Sequence, residues 1–146
     1  MKKEPKSKIF ERLFNYWSVK LLDSTYPIIK DNRCNCHMLV DEADKKIVIR
    51  YNTRKLGKWQ EYMILNGIFH EIGHIKQRFC KYNTEKQQIE CERDAEVFSI
   101  QMIKTYYPEY LEPIIERTKK QLKSSKWKKE NHIHWEAFNI IREYKI

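Results

Sequence analysis

The sequence from His70 to His74 has the form His-Glu-x-x-His, and it constrains the fold of this 146-residue chain more than any other feature. It lies in a stretch from about 58 to 79 whose apolar residues recur every three or four positions, as on an amphipathic helix. Residues four apart on a helix lie one turn apart on the same face, so both imidazoles can bind one ion. The motif therefore predicts a helix here and a second element that completes a metal site.

The third ligand of such a site is expected from the next helix. A catalytic zinc ion usually has three protein ligands and one open position. Glu92 follows His74 by 18 residues, within a second predicted helix that runs from about 84 to 106. A short turn would let this helix fold back beside the first. The sequence thus predicts one catalytic Zn²⁺ bound by His70, His74 and Glu92.

Three neighbours of these ligands have expected roles of their own. Glu71 can reach a water molecule on the metal without binding the metal itself, so we expect it to act as general base and acid. Glu96 lies one turn after Glu92 and is expected to orient a ligand imidazole by accepting its hydrogen bond. Ala95 is small enough to let the two helices approach closely.

This pair of motifs resembles a known family. A His-Glu-Ile-Gly-His sequence followed by Glu-x-x-Ala and an acidic residue is similar to the gluzincin metallopeptidases. The likeness is greatest to the minigluzincins and to the ImmA/IrrE-type metallopeptidases of mobile elements, over about Ile47 to Met102. Glu96 stands where Asp or Asn is commoner in that family.

The resemblance implies a zincin-like fold and specific site residues. It implies His70, His74 and Glu92 as zinc ligands and Glu71 as the general base. It also implies that a strand precedes the motif helix and binds the substrate as an added strand along its free edge. In this chain that strand would be Ile47–Tyr51.

The remaining pattern predicts an α+β fold that is mostly helical, with a small antiparallel sheet beside the motif helix. Ser7 is the expected N-cap of an amphipathic helix that continues to about Leu22. Segments 36–40 and 46–51 flank a polar tip and predict a β-hairpin. Thr84 and Gln87 have the form of a capping box. Helices near 113–123 and after 131 would form a basic helical C-terminal segment, about 113–146.

Composition bounds the class of protein. The length predicts a single domain over 1–146. Charged residues make up 34% of the chain, and no apolar run reaches the roughly 18 residues of a membrane span. We therefore expect a cytoplasmic protein without a membrane span. The net charge of +9 favours weak association with anionic partners but identifies none.

The four cysteines are expected to be reduced thiols. Cys34 and Cys36 are expected on opposite faces of a strand, with one thiol towards the core and the other towards solvent. A separate zinc site there, or a temporary contact of Cys34, Cys36 or His37 with the catalytic zinc, are alternatives. Cys80 and Cys91 flank the turn between the two site helices and could pair if oxidised.

The sequence as a whole favours a zinc-dependent metallopeptidase that hydrolyses peptide bonds in a peptide or protein substrate. One alternative is a regulatory protein of a phage or mobile element that acts on a repressor. Another is a basic nucleic-acid-binding module with a structural zinc, because the run Lys119–Lys129 is strongly basic and includes Trp127. His132 and His134 would point to different sides of a helix, so a shared metal is not expected.

Overall fold

The computed structural model describes residues 4–43, 45–77 and 83–144, and the α+β fold class is confirmed. The described residues group into two compact units, Met1–Ile72 and Gly73–Ile146, and the boundary falls inside one continuous helix. The helices are α1 (Lys6–Leu22), α2 (Thr53–Gly57), α3 (Glu61–Lys76), α4 (Glu85–Tyr106), α5 (Leu111–Lys123), α6 (Ser125–Glu130) and α7 (His132–Ile140), with 3₁₀ turns at Pro108–Tyr110 and Arg142–Tyr144. The strands are β1 (Ile28–Lys30), β2 (Met38–Ala43) and β3 (Lys46–Tyr51).

Helix α1 supplies much of the core of the first unit. Its apolar stripe buries Phe10, Phe14 and Trp17, and the Trp17 ring meets Phe69 edge-on with centroids 5.0 Å apart. The predicted helix is thus confirmed, but its N-cap is Pro5 rather than Ser7. Proline suits this place because a helix start leaves backbone N–H groups without intrahelical partners.

The predicted hairpin is confirmed, with β2 and β3 antiparallel. Its turn includes Lys45 in the left-handed conformation, with φ of 63°. A strand that the sequence did not predict, β1, pairs in parallel with the other side of β3. The sheet is therefore mixed, and β3 is its central strand while β2 lies at an edge.

The motif helix begins later than predicted because a separate short helix precedes it. The Asn52 side chain accepts hydrogen bonds from the N–H groups of Arg54 and Lys55 and thereby starts α2. Helix α3 then begins at Glu61 instead of residue 58. The predicted end at residue 79 lies outside the described residues.

The second unit is built around α4. The predicted capping box is present, with Thr84 and Gln87 each bonding the other's backbone. A buried cluster of Ile100, Ala137, Phe138 and Ile141 joins α4 to α7 and the chain beyond it. The predicted C-terminal helices are confirmed as α5 and α7. Of the helices that the structure describes, none combines the length and the apolar character needed to cross a membrane.

Candidate metal centre

Helix α3 carries the whole His-Glu-x-x-His sequence. His70 and His74 are one turn apart on this continuous helix, as the sequence predicts. His70 is 8% exposed and the His74 side chain 12%. Two imidazoles so little exposed need polar partners, because burying a polar group without one is costly.

Helices α3 and α4 approach closely at Gly73 and Ala95. A Cβ at position 73 would lie 3.1 Å from the Ala95 Cα and 3.2 Å from its carbonyl oxygen. Both are backbone atoms and cannot move aside, so any side chain at Gly73 would push the helices apart. The prediction that the small Ala95 lets the two helices approach is confirmed. Gly73, inside the motif, is the small residue that faces it on α3.

This approach brings Glu92 to His74. The Glu92 Oε1 lies 3.2 Å from the His74 Nε2, and its side chain is 14% exposed. The other oxygen, Oε2, lies 3.2 Å from the Nε2 of His134 on α7. The Glu92 carboxylate therefore stands between two imidazoles, and the second was not expected to contribute. His132 pairs instead with Glu85, at 2.7 Å, so the two histidines do point to different partners as predicted.

Gln77 fixes the ring of His74. The Gln77 side-chain amide donates to the Cys91 carbonyl at 3.1 Å, so its oxygen faces the imidazole. That oxygen lies 3.2 Å from the His74 Nδ1, and it also accepts from the Cys91 thiol at 2.8 Å. An amide oxygen only accepts, so a proton on Nδ1 would suit this contact and would leave the Nε2 lone pair for a metal ion. Sequence reasoning missed Gln77, although it lies three residues after His74 on the same helix face.

The three predicted ligands form a group that could hold a metal ion. One donor atom from each of His70, His74 and Glu92 lies within 4.8 Å of the others. In a tetrahedral zinc site with bonds of about 2.1 Å, ligand atoms are roughly 3.4 Å apart. The 3.2 Å between His74 and Glu92 already matches this spacing. Two imidazoles and a carboxylate are also a typical donor set for zinc.

Glu71 has a different environment from the three ligands. Its Oε2 accepts a hydrogen bond of 3.2 Å from the Val40 N–H on β2. Val40 is paired with Ile49 across the hairpin, and the Ile49 N–H donates on its other side to the Pro27 carbonyl. Val40 thus directs its N–H away from β3 and towards the motif helix. The edge strand orients the carboxylate that follows the first histidine.

The strand expected to bind substrate is not Ile47–Tyr51. That segment is β3, which pairs with β2 on one side and, at Ile49–Tyr51, with β1 on the other, so these three residues have no free edge. The prediction of a free edge there is wrong. It failed because the parallel pairing of the three-residue β1 has no local sequence signal. The edge beside the motif helix belongs to β2.

Glu96 has a partner that the sequence did not suggest. It is 2% exposed, and its Oε2 accepts a hydrogen bond from the Tyr144 hydroxyl. Burial, and then the charge of Glu96, raises the pKa of Tyr144 well above its usual value. Glu96 therefore anchors the chain after α7 to α4. Its expected hydrogen bond to a ligand imidazole stays a prediction.

The cysteine predictions fare differently from one another. Cys34 and Cys36 lie in a turn and bend before β2, and their sulfur atoms are 2.9 Å apart, so the expectation of opposite faces is wrong. The His37 ring stacks on Trp59 with centroids 3.8 Å apart. Across the described ranges, no metal-binding group other than that of His70, His74 and Glu92 is found. The Cys91 thiol donates a hydrogen bond to Gln77 and forms no disulfide within the described residues, while Cys80 lies outside them, so a pairing of the two stays a prediction.

In the basic C-terminal segment, Trp127 is partly buried. The Trp127 ring packs on Phe138 with centroids 6.1 Å apart, against the buried cluster of the second unit. Nucleic-acid binding by stacking needs an exposed aromatic face. The partial burial of Trp127 gives stacking little support, and the nucleic-acid alternative stays a prediction.

Comparison with models of protein families, with curated proteins and with solved structures found no match. The family resemblance drawn from the two motifs therefore stays a prediction. What the structure supplies is a His70, His74 and Glu92 group able to hold a metal ion, with Glu71 beside it in sequence.

Proposed function

We propose that this protein is a zinc-dependent metallopeptidase whose single zinc ion is bound by His70, His74 and Glu92. The observation that carries the proposal is the convergence of these three donor atoms within 4.8 Å. Structural zinc sites are closed by four protein ligands, whereas catalytic sites use three and keep one position open. Among the described residues the group has three members, which favours catalysis.

A zinc ion held there would polarise a carbonyl group and lower the pKa of a water molecule bound to it. In the proposed reaction, the Glu71 carboxylate accepts the proton of the attacking water and delivers it to the leaving amine. The Val40 N–H supports this role because it holds one carboxylate oxygen in a fixed orientation.

His134 and Gln77 would keep the ligands in place. The His134 ring faces the Oε2 of Glu92, and Gln77 faces the Nδ1 of His74. Residues that hydrogen-bond to ligands commonly set their orientation and basicity. Both residues would therefore tune metal affinity rather than take part in bond cleavage.

The edge of β2 is the proposed contact for an extended peptide. Edge strands offer unpaired main-chain groups, and peptides bind to them as added strands. Val40 shows which way the outward groups of this strand point, namely towards the helix that carries Glu71. A peptide lying along β2 would thus pass beside the proposed base.

The proposal is tested with zinc-loaded wild-type protein and Glu71→Gln, incubated with casein and with a mixture of peptides. We expect new termini from the wild type and a loss of at least about 100-fold in Glu71→Gln, with zinc content unchanged. Glu61→Gln, the same substitution ten residues earlier on α3, is the matched control and should keep full activity.

Equal hydrolysis by wild type and Glu71→Gln would contradict the proposal, as would activity that survives complete removal of metal. Cleavage confined to one protein partner, with casein untouched, would instead support the regulatory alternative.

A further inference from the structure

The turn before β2 brings two thiols into contact. The sulfur atoms of Cys34 and Cys36 are 2.9 Å apart, and the Cys34 sulfur is 3.5 Å from the Cys36 carbonyl oxygen. On an extended strand, side chains two residues apart lie on the same face, but their Cβ atoms are roughly 6–7 Å apart, too far for the sulfur atoms to come this close without a bend. Here the backbone bends and both side chains turn inward to each other. The proposed peptidase reaction uses neither of them.

The bend is held by hydrogen bonds on both sides of the pair. The Asn52 side chain donates to the Cys34 carbonyl at 3.0 Å, and the Asn52 backbone N–H donates to the His37 carbonyl at 3.0 Å. Between them, the Lys55 ammonium donates to the Asn35 carbonyl at 2.7 Å. The two sulfurs are therefore held together by the fold. Groups held in this way react with each other far more readily than free ones.

We propose that Cys34 and Cys36 are a dithiol site that a low-molecular-weight disulfide, such as oxidised glutathione, converts into an intramolecular disulfide. The inference stands on the geometry of the turn and does not depend on the proposed peptidase function.

The reaction has two exchange steps. The Cys36 sulfur, which is less buried than that of Cys34, loses its proton and attacks one sulfur of oxidised glutathione. The glutathione S–S bond breaks, and one glutathione leaves as a thiolate and takes up a proton. The Cys34 sulfur then loses its proton, attacks the Cys36 sulfur and expels the second glutathione, which is protonated in turn. Two protein thiols are oxidised, and one glutathione disulfide is reduced to two thiols.

The pair should hold its redox state rather than exchange it rapidly. Burial, and then the hydrogen bond that the Cys36 thiol makes to Cys34, raises the pKa of Cys36 to about 12. The thiolate is the attacking species, so it is scarce at neutral pH and the first step is slow. Rapid thiol–disulfide catalysts have lowered pKa values instead. The Cys34–Cys36 pair should therefore keep its oxidised or reduced state for a long time once that state is set.

The position of the pair gives the modification a defined consequence. Cys36 lies two residues before β2, and the Val40 N–H of that strand holds Glu71. Closing the disulfide would fix the turn through which the chain enters the strand. Oxidation of Cys34 and Cys36 would therefore act on the orientation of Glu71 through residues 36–40.

The experiment equilibrates the full chain, folded and in urea, with buffers of varied oxidised-to-reduced glutathione ratio. After an acid quench, free thiols are alkylated and the protein is analysed by intact mass and peptide mapping. We expect a form lighter by two hydrogen atoms, with the link inside the peptide that holds Cys34 and Cys36. Half-oxidation of the folded chain should need at least about tenfold less oxidised glutathione, relative to reduced, than the chain in urea.

Cys34→Ser removes the second thiol and should leave glutathione trapped on Cys36. Cys91→Ser, at the buried thiol that donates to Gln77, is the matched control and should still form the Cys34–Cys36 link. The inference is overturned if the folded wild type keeps both thiols free, retains bound glutathione, or oxidises no more readily than the unfolded chain. A link from either cysteine to Cys80 or Cys91 would also overturn it.

Discussion

Glu71 and Glu92 are both helical glutamates next to the same histidine pair, yet their surroundings differ in kind. Glu71 accepts from a neutral main-chain N–H on the edge strand β2. Glu92 lies between two imidazoles, those of His74 and His134, each 3.2 Å away. The sheet orients the Glu71 carboxylate, whereas the Glu92 carboxylate has an imidazole nitrogen on each side.

These surroundings indicate which chemistry the Glu71 and Glu92 carboxylates each suit. A carboxylate among imidazoles can share a cation with them, as metal ligands do. A carboxylate held in a fixed orientation by a main-chain N–H suits a general base, which must meet the proton it accepts at a defined position. Substitutions that remove one environment at a time therefore test whether the two carboxylates have separate roles.

The largest effect is expected from Glu92→Gln. A neutral amide is a poor zinc ligand, so zinc affinity should fall by more than about 100-fold, beyond the range seen when only a supporting residue is lost. Competition with a chromophoric chelator gives the affinity. Glu90→Gln, two residues earlier on α4, is the matched control and should bind zinc as the wild type does. Wild-type affinity in Glu92→Gln would remove Glu92 from the ligand set.

A smaller loss of metal affinity is expected from Gln77→Ala. This change removes the acceptor that holds the His74 Nδ1 proton, and such losses typically weaken zinc binding by about 10–100-fold. The same chelator competition measures it, with exposed Gln101→Ala as the control. If Gln77→Ala leaves the affinity unchanged, the ring of His74 is oriented by something else.

Val40→Pro tests the strand side of the comparison. Proline removes the N–H that donates to Glu71, and it is tolerated at an edge strand where that N–H points away from the ladder. We expect zinc affinity to be unchanged and kcat to fall about tenfold, the equivalent of roughly 1.4 kcal/mol for one hydrogen bond. Val40→Ala keeps the N–H and should retain activity. A fall in zinc affinity instead of kcat would contradict the separate roles of the two carboxylates.

The smallest effect at the site is expected from Tyr144→Phe, which removes the donor to Glu96. Unfolding free energy should fall by about 1–2 kcal/mol, because the buried carboxyl group loses a partner. The folded-state pKa of Tyr144 is raised, so its contribution is present below about pH 10 and declines as pH rises above that. Urea unfolding at pH 7 and pH 11 measures both effects.

Tyr16→Phe is the control, since Tyr16 is 54% exposed and should change stability little. If Tyr144→Phe proves as stable as the wild type at pH 7, Glu96 does not anchor the chain end. Equal alkaline sensitivity of wild type and Tyr144→Phe would assign the high-pH loss to other groups.

Local signals in the sequence were sufficient for much of the fold. The Thr84 capping box and the β2–β3 hairpin are each specified within a few neighbouring residues, and both are confirmed. The convergence of His70, His74 and Glu92 was also predictable, since helical spacing and a short turn limit where the carboxylate can lie.

Contacts between residues far apart in sequence were not predictable in the same way. The parallel pairing of β1 with β3 and the Glu96–Tyr144 contact, 48 residues apart, have no local pattern. The prediction of opposite faces for Cys34 and Cys36 was wrong for another reason. Residues two apart on a strand share one face, and the bend that brings the sulfur atoms together depends on hydrogen bonds from Asn52, 18 residues after Cys34.

The most direct test of the central claim is the zinc stoichiometry and coordination of the purified full chain, by metal analysis and X-ray absorption. We expect one zinc per chain after exhaustive dialysis, with only nitrogen and oxygen neighbours in a four-coordinate shell that includes two imidazoles. A chain that retains no zinc, or a zinc ion with sulfur neighbours, would contradict it.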